Sequence, residues 1–331
     1  MKIVMIAGSY PPDICGVGDY SEKLVHALEA KGLEVEVFRQ IDLETNKHIA
    51  SKIRDPKTIC HIQYPAQGFG KKMNVQWVSM LARNSVVTIH EYSQSKFLRK
   101  LAEIPFFVTS KKLIFTNQYE LAEVRDLFPF VAGKSTVIPI SSNIPYPGST
   151  NNVGRNGLLF FGLIRPNKGL EEYLECVSQL VSRGINMPFV IFGAVPLGQE
   201  EYYRAMRNKS ERLPIEWSVN KSSEEVSKGM LAAQFAYLSY PDGLTERRGS
   251  FLASLFHDLK VLSNSGSATP AELMETFIDV ATPTMAAEKI EFLFKAGVSS
   301  IEDHAVRAAK NRFSWEAIAD KHLHLYESLL T

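Results

Sequence analysis

The sequence predicts an α/β protein of two doubly wound domains, and three observations carry that prediction. Short apolar runs of strand character alternate with stretches of helical period along the whole chain. Its 331 residues, 45% of them hydrophobic, are enough to fill two cores of ordinary size. Residues 146–157, PYPGSTNNVGRN, hold turn formers without period and separate two such alternating sets. Facing each other across a cleft, the two domains use every element, and the boundary falls at 150/151.

In the first set, residues 3–7, 35–38, 58–62, 86–90, 112–116 and 137–140 read as strands. Tyr20, Leu24, Ala27 and Leu28 recur at helical spacing and define a helix that stops near Gly32. The loop before it, residues 8–18, is long and rich in Gly and Pro. A further helix covers about 118–128. In the second set, strands fall at 158–161, 189–192, near 215–217, and at 235–239, 260–262 and 277–280. Residues 314–330 form a last helix with Ser314 as N-cap.

Charge is balanced, 37 Lys and Arg against 36 Asp and Glu, so no global field recommends nucleic acid as a partner. Cys15, Cys60 and Cys176 form neither a disulfide framework nor a zinc spacing, which favours a reducing cytoplasm. The apolar start, residues 1–7, is a core strand rather than a signal peptide, and no run spans a bilayer. The protein is expected to be soluble, or to lie on the inner face of a membrane.

The most informative stretch is residues 159–170, a buried strand, a loop with Arg165 and Lys168, and a helix start. Cations placed between a strand's carboxyl end and a helix's amino end suit an anion, and two of them suit a diphosphate. An ordinary solvated βα loop reads the same way, and Glu171 and Glu172 already satisfy the helix dipole. A second junction of this kind runs from Tyr240 to Ser250. There the N–H groups around Gly249 and Ser250 would face an anion, and Glu246 could accept from sugar hydroxyls. Its bland alternative is a surface salt-bridge cluster of Glu246 with Arg247 and Arg248.

In the first set, Gly16 and Gly18 open a helix like the start of a dinucleotide fingerprint, but Ser21 stands where the third glycine would be. They allow close backbone approach to a phosphate or sugar, or simply a flexible turn. His90 ends a strand and points into the crevice where substrates lie. It could bind a sugar hydroxyl or steady developing charge. His61, Gln63 and Tyr64 end the preceding strand and line the same wall. His322 and His324 fall on different helix faces and do not share a metal.

Taken together, PPDICGVGDYSEKLVHAL, TIHE, VIPISSN, FFGLIRPNKGL and FSWEAIADKHLHLYESLL resemble a retaining GT-B glycosyltransferase of the large family 4 type (glycosyltransferase group 1). The resemblance covers nearly the whole chain. It implies two Rossmann-like domains: an acceptor-binding domain over 1–150, a nucleotide-sugar-binding domain over 151–312, and a helix over 313–331 crossing back to the first. It implies that Arg165 and Lys168 hold the donor diphosphate and that Gly16 and Gly18 approach phosphate and sugar. His90 would contact the transferred sugar, and Glu246, Arg248, Gly249 and Ser250 would keep the donor contact. The donor would be a nucleotide diphosphate sugar, UDP-linked rather than GDP-linked, and no metal or other cofactor is required. The family's usual two glutamates, seven residues apart, are replaced here by the form ERRGSFLASLFHDLKVLS, with Ala253 where the second should stand. The acceptor would be a saccharide or lipid-linked saccharide in O-antigen, polysaccharide or glycolipid assembly. The mix of basic and apolar residues over 96–112 suits an anionic membrane surface. It equally suits an amphipathic helix packed on its own sheet. A nucleotide-sugar epimerase and a non-catalytic nucleotide-sugar-binding protein are the alternatives.

Overall fold

The computed structural model describes residues 1–13, 15–45, 48–93, 95–146, 154–297 and 304–330. The chain forms two compact units, one of Met1–Ser141 with Phe313–Thr331 and one of Ser142–Arg312. The expected boundary at 150/151 lies outside the described residues, and the division by contacts falls nine positions earlier.

Unit 1 runs β1 (Lys2–Ala7), α1 (Gly16–Ala30), β2 (Glu34–Phe38), α2 (Gln40–Thr45), α3 (Ile49–Arg54), β3 (Thr58–Tyr64), α4 (Asn74–Leu81), β4 (Ser85–Ile89), α5 (Phe97–Thr109), β5 (Lys112–Phe115), α6 (Gln118–Leu127) and β6 (Ser135–Val137). Unit 2 runs β7 (Leu158–Phe161), α7 (Leu170–Ser182), β8 (Phe189–Gly193), α8 (Glu200–Lys209), β9 (Ile215–Val219), α9 (Ser223–Ala232), β10 (Phe235–Leu238), α10 (Gly249–Phe256), β11 (Lys260–Ser263), β12 (Ile278–Asp279), α11 (Pro283–Lys295) and α12 (His304–Phe313). The last helix, α13 (Trp315–Leu330), packs against α1 in unit 1. Ser314 opens it as expected, its Oγ accepting from the Ala317 N–H at 3.1 Å.

Each unit is built on one six-stranded parallel sheet, ordered β2-β1-β3-β4-β5-β6 and β12-β11-β10-β7-β8-β9. Parallel strands covered on both faces must be apolar on both, and β1 shows how the faces divide. Ile3 and Met5 pack with Leu24 and Leu28 of α1 and Ile318 of α13, whereas Val4 and Ile6 pack towards Phe106 and Phe107 of α5. In unit 2, Leu170, Tyr173, Leu174, Val177 and Leu180 form the buried face of α7, as their spacing predicts. The expected strand at 137–140 lies earlier, at Ser135–Val137, and the one at 277–280 shrinks to Ile278–Asp279. Ile138 still donates to the Phe115 carbonyl at 3.0 Å, and Pro139, which has no N–H, follows it; Val280 donates to the Ser263 carbonyl at 2.8 Å, one residue past Asp279.

Candidate functional site

In unit 2 the chain winds outward from β7 in both directions, first through β8 and β9, then back past β7 to β10, β11 and β12. The winding therefore reverses between β7 and β10, which pair in parallel with Leu158 opposite Phe235. At such a reversal the loops leaving two adjacent strands at their carboxyl ends diverge and leave a crevice, where open α/β sheets take ligands. The loops here are 162–169 and 239–248, the two cationic junctions that stand out in the sequence.

They touch. Gly169, with φ at +82°, ends the first loop and opens α7, and a Cβ on it would lie 2.4 Å from the Ser239 carbonyl oxygen. A side chain there meets both a left-handed backbone and a fixed backbone oxygen, so only glycine fits. Arg165 is exposed on the crest of this loop, and no ion pair to it occurs among the described residues. Lys168 is half-buried one residue before Gly169.

The second loop is held by an acid the sequence reading passed over. Asp242 accepts from Arg247 at 2.9 Å and pairs also with Arg248. Burial opposes ionisation of Asp242, but the Arg248 and Arg247 guanidiniums outweigh it and hold its pKa below the usual range. Arg248 lies over the Tyr240 ring at 4.6 Å, and burial draws its own pKa down. Tyr240 and Ser250 share a hydrogen bond of 2.8 Å between their hydroxyls. Glu246 does not lie at the surface. It is buried, and its carboxylate pairs with Arg312 near the end of α12. A Cβ added to Gly249 would stand in open space at the start of α10, so packing does not explain this glycine. Ala253, where the family's second glutamate would stand, is buried on α10.

In unit 1 the corresponding reversal lies between β1 and β3. Alternation along the strands places Ile59, His61 and Gln63 of β3, with Val86, Thr88 and His90 around β4, on the face that α13 covers. His90 is buried. Its Nε2 donates to Gln63 Oε1 at 2.9 Å, and its ring meets the Tyr20 ring edge-on at 5.0 Å. Burial, and secondarily His322, push its pKa down to about 3. His90 is thus a neutral imidazole and carries no positive charge towards a ligand. His61 bonds to Tyr326 of α13 at 2.6 Å and to Thr88 at 2.7 Å. His322 faces this cluster from α13, whereas His324 is exposed.

Gly18 is explained by packing, since its Cβ would lie 2.9 Å from the Ser9 carbonyl oxygen, while a Cβ on Gly16 would meet nothing within 4 Å. Two glycines absent from the sequence reading are more tightly bound to the crevice. A Cβ on Gly68, after β3, would lie 1.9 Å from the Gly8 carbonyl oxygen, after β1, and the Gly68 N–H donates to Ser9 Oγ at 2.8 Å. Nothing in a lone Gly-Phe-Gly marks that contact.

The two sheets, each reversing beside its first strand, define the class of fold: GT-B, two Rossmann-like α/β units. No family model matches the sequence, and no curated protein matches it. Solved structures match over nearly its whole length. HepE from Anabaena, in complex with UDP and glucose, is similar with a TM-score of 0.69 and 15% identity, covering 99% of this chain and 100% of that one. Sucrose-phosphate synthase from Thermosynechococcus elongatus gives 0.72 at 17% identity, covering 99% of each chain. A glycosyltransferase from Rickettsia africae gives 0.70 at 14% identity, covering 100% of this chain and 98% of that one.

Proposed function

We propose that the protein is a retaining glycosyltransferase of the family 4 type. It moves a sugar from a UDP-sugar to a saccharide or lipid-linked saccharide. The observation that carries this reading is the meeting of the two cationic loops at the β7/β10 reversal, fixed by Gly169 against Ser239. As the glycosidic bond breaks, negative charge grows on the leaving diphosphate, and fixed positive potential placed there lowers the barrier. Arg165 and Lys168 supply it together with the free N–H groups of α7, so no metal is needed in this scheme. The Gly249–Ser250 start of α10 gives a second set of N–H donors, and Arg248, anchored on Asp242, stiffens the loop that presents them. Arg312 holds the Glu246 carboxylate in place for sugar hydroxyls. In unit 1, Gly16 leaves room for phosphate or sugar, and neutral His90 can exchange hydrogen bonds with the transferred sugar. The acceptor proton would pass to the leaving phosphate oxygen on the same face of the sugar. The bound UDP and glucose of HepE support the choice of donor.

The test is thermal stabilisation by UDP, GDP and ADP, followed by turnover of UDP-sugars, in the parent chain, Arg165→Ala and Lys168→Ala. UDP should stabilise the parent most. Either variant should lose turnover by about 100–1,000-fold while unfolding at an unchanged urea midpoint. Full turnover in both variants would overturn the assignment. One specific observation favours a second reading, a nucleotide-sugar binder without chemistry: buried Ala253 stands in place of a glutamate. It is distinguished by UDP stabilisation with no turnover of any UDP-sugar.

A further inference from the structure

Helices α4 and α5 present apolar side chains to solvent on the sides facing away from the sheet. On α5, Leu98 is 77% and Phe97 73% exposed, and Leu101 and Val108 are exposed with them, while Glu103, Phe106 and Phe107 are buried. At 100° per residue the two sets fall on opposite sides of the helix. On α4, Trp77, Met80 and Leu81 are exposed and Val75 and Ser79 buried. The helices lie side by side, since Gln76 Nε2 donates to the Ala102 carbonyl at 3.0 Å and Ser79 shares a hydrogen bond with Thr109 at 3.1 Å. Apolar exposure on this scale marks an interaction surface.

Charge says what it meets. From 71 to 112 the chain carries eight Lys and Arg against two Glu, although the whole chain balances at +1. One of the two, Glu103, is buried beneath α5, where burial pushes its pKa up to about 8, so it does not offset the basic groups at neutral pH. Lys71, Lys72, Lys96 and Arg99 are exposed at the ends of the two helices. A twofold contact with a second copy would set these charges against themselves.

We propose that the α4–α5 face docks on an anionic phospholipid surface, with the apolar side chains entering the acyl boundary and Lys71, Lys72, Lys96 and Arg99 meeting phosphate headgroups. No described helix is long and apolar enough to cross a membrane, so attachment is to one leaflet. The surface lies wholly within unit 1 and adds a lipid partner to the glycosyltransferase reading without depending on it. It places the enzyme where a lipid-linked acceptor is delivered.

The experiment is co-flotation of the full chain with vesicles of phosphatidylcholine alone and of phosphatidylcholine with phosphatidylglycerol, at low and high salt. The parent should float with the anionic vesicles, and less by at least roughly tenfold with the neutral ones or at high salt. Leu98→Glu with Leu101→Glu, and separately Lys96→Glu with Arg99→Glu, should abolish flotation while keeping the parent circular dichroism and urea midpoint. Absence of flotation with anionic vesicles overturns the proposal, as does equal flotation of the variants. So does a dimer in sedimentation equilibrium that Leu98→Glu dissociates. UDP stabilisation, read in parallel, reports on the donor site alone.

Discussion

The carbonyl oxygen of Ser239 lies 2.4 Å from the point where a β-carbon on Gly169 would stand. This contact joins the loop after β7 to the loop after β10, and the two cationic segments converge because of it. Neighbouring Asn167 also has positive φ, at 62°, a conformation that asparagine tolerates better than most side chains.

Gly169→Ala should therefore cost stability twice over. The left-handed backbone adds about 1–2 kcal/mol and the clash with Ser239 about 1–3 kcal/mol. Urea unfolding should show a loss of about 2–5 kcal/mol, and UDP stabilisation should fall with it as the loops part. An alanine variant as stable as the parent would contradict the contact.

The histidine seam of unit 1 should make stability fall in acid. Burial, followed by the neighbouring imidazoles, holds His61 well below its ordinary pKa, and burial holds His90 near about 3 and His322 near about 4. Above about pH 6.5 neither folded nor unfolded chain protonates these rings, and their contribution to stability is flat. Below that pH the unfolded chain takes up protons that the folded chain refuses, so stability declines towards pH 4. The slope approaches about 1.4 kcal/mol per pH unit for each ring. His322→Gln, which keeps a donor for the Ile318 carbonyl, should remove about one third of the histidine share of the slope in urea titrations between about pH 6.5 and 5, a share that buried Glu103 partly offsets. An unchanged slope would exclude His322 from the effect.

Arg312→Ala would leave the Glu246 carboxylate, 3% exposed, without its guanidinium. Breaking a buried pair costs about 3–5 kcal/mol, and the partial exposure of Arg312 puts this one nearer about 2–3 kcal/mol. Glu246→Gln in the same chain should restore part of the loss, because an amide needs no cation. An Arg312→Ala variant as stable as the parent would mean that the ion pair contributes nothing.

Much of the fold is written in runs such as Leu158-Leu159-Phe160-Phe161, which are apolar on both faces because both faces are covered. The helical spacing of Leu170, Tyr173, Leu174 and Val177 is as direct. Both cationic junctions are visible one at a time, but their contact depends on β10 returning past β8 and β9 to pair with β7, which no local pattern encodes. Pairing around the second junction was hidden for a related reason. Nothing local marks Asp242 as the partner of Arg247 and Arg248, or the buried Glu246 as a partner of Arg312, 66 positions further on. His61, Gln63 and Tyr326 show another limit. They occupy core positions with polar groups, and only their mutual hydrogen bonds, made between opposite ends of the chain, permit their burial.

The division of the chain has a consequence for how it folds. Unit 2 is one uninterrupted segment, Ser142–Arg312, whereas unit 1 is split and lacks α13 until all of unit 2 has been made. Before α13 arrives, Met5 and Ile59 have an uncovered side and His61 lacks Tyr326. The later-made unit can thus complete its core first, reversing the usual amino-to-carboxyl order. Protease protection of a stalled nascent chain in which a flexible linker long enough to fill the exit tunnel replaces everything after residue 312 would read this directly, with the second unit resistant and the first still open to cleavage.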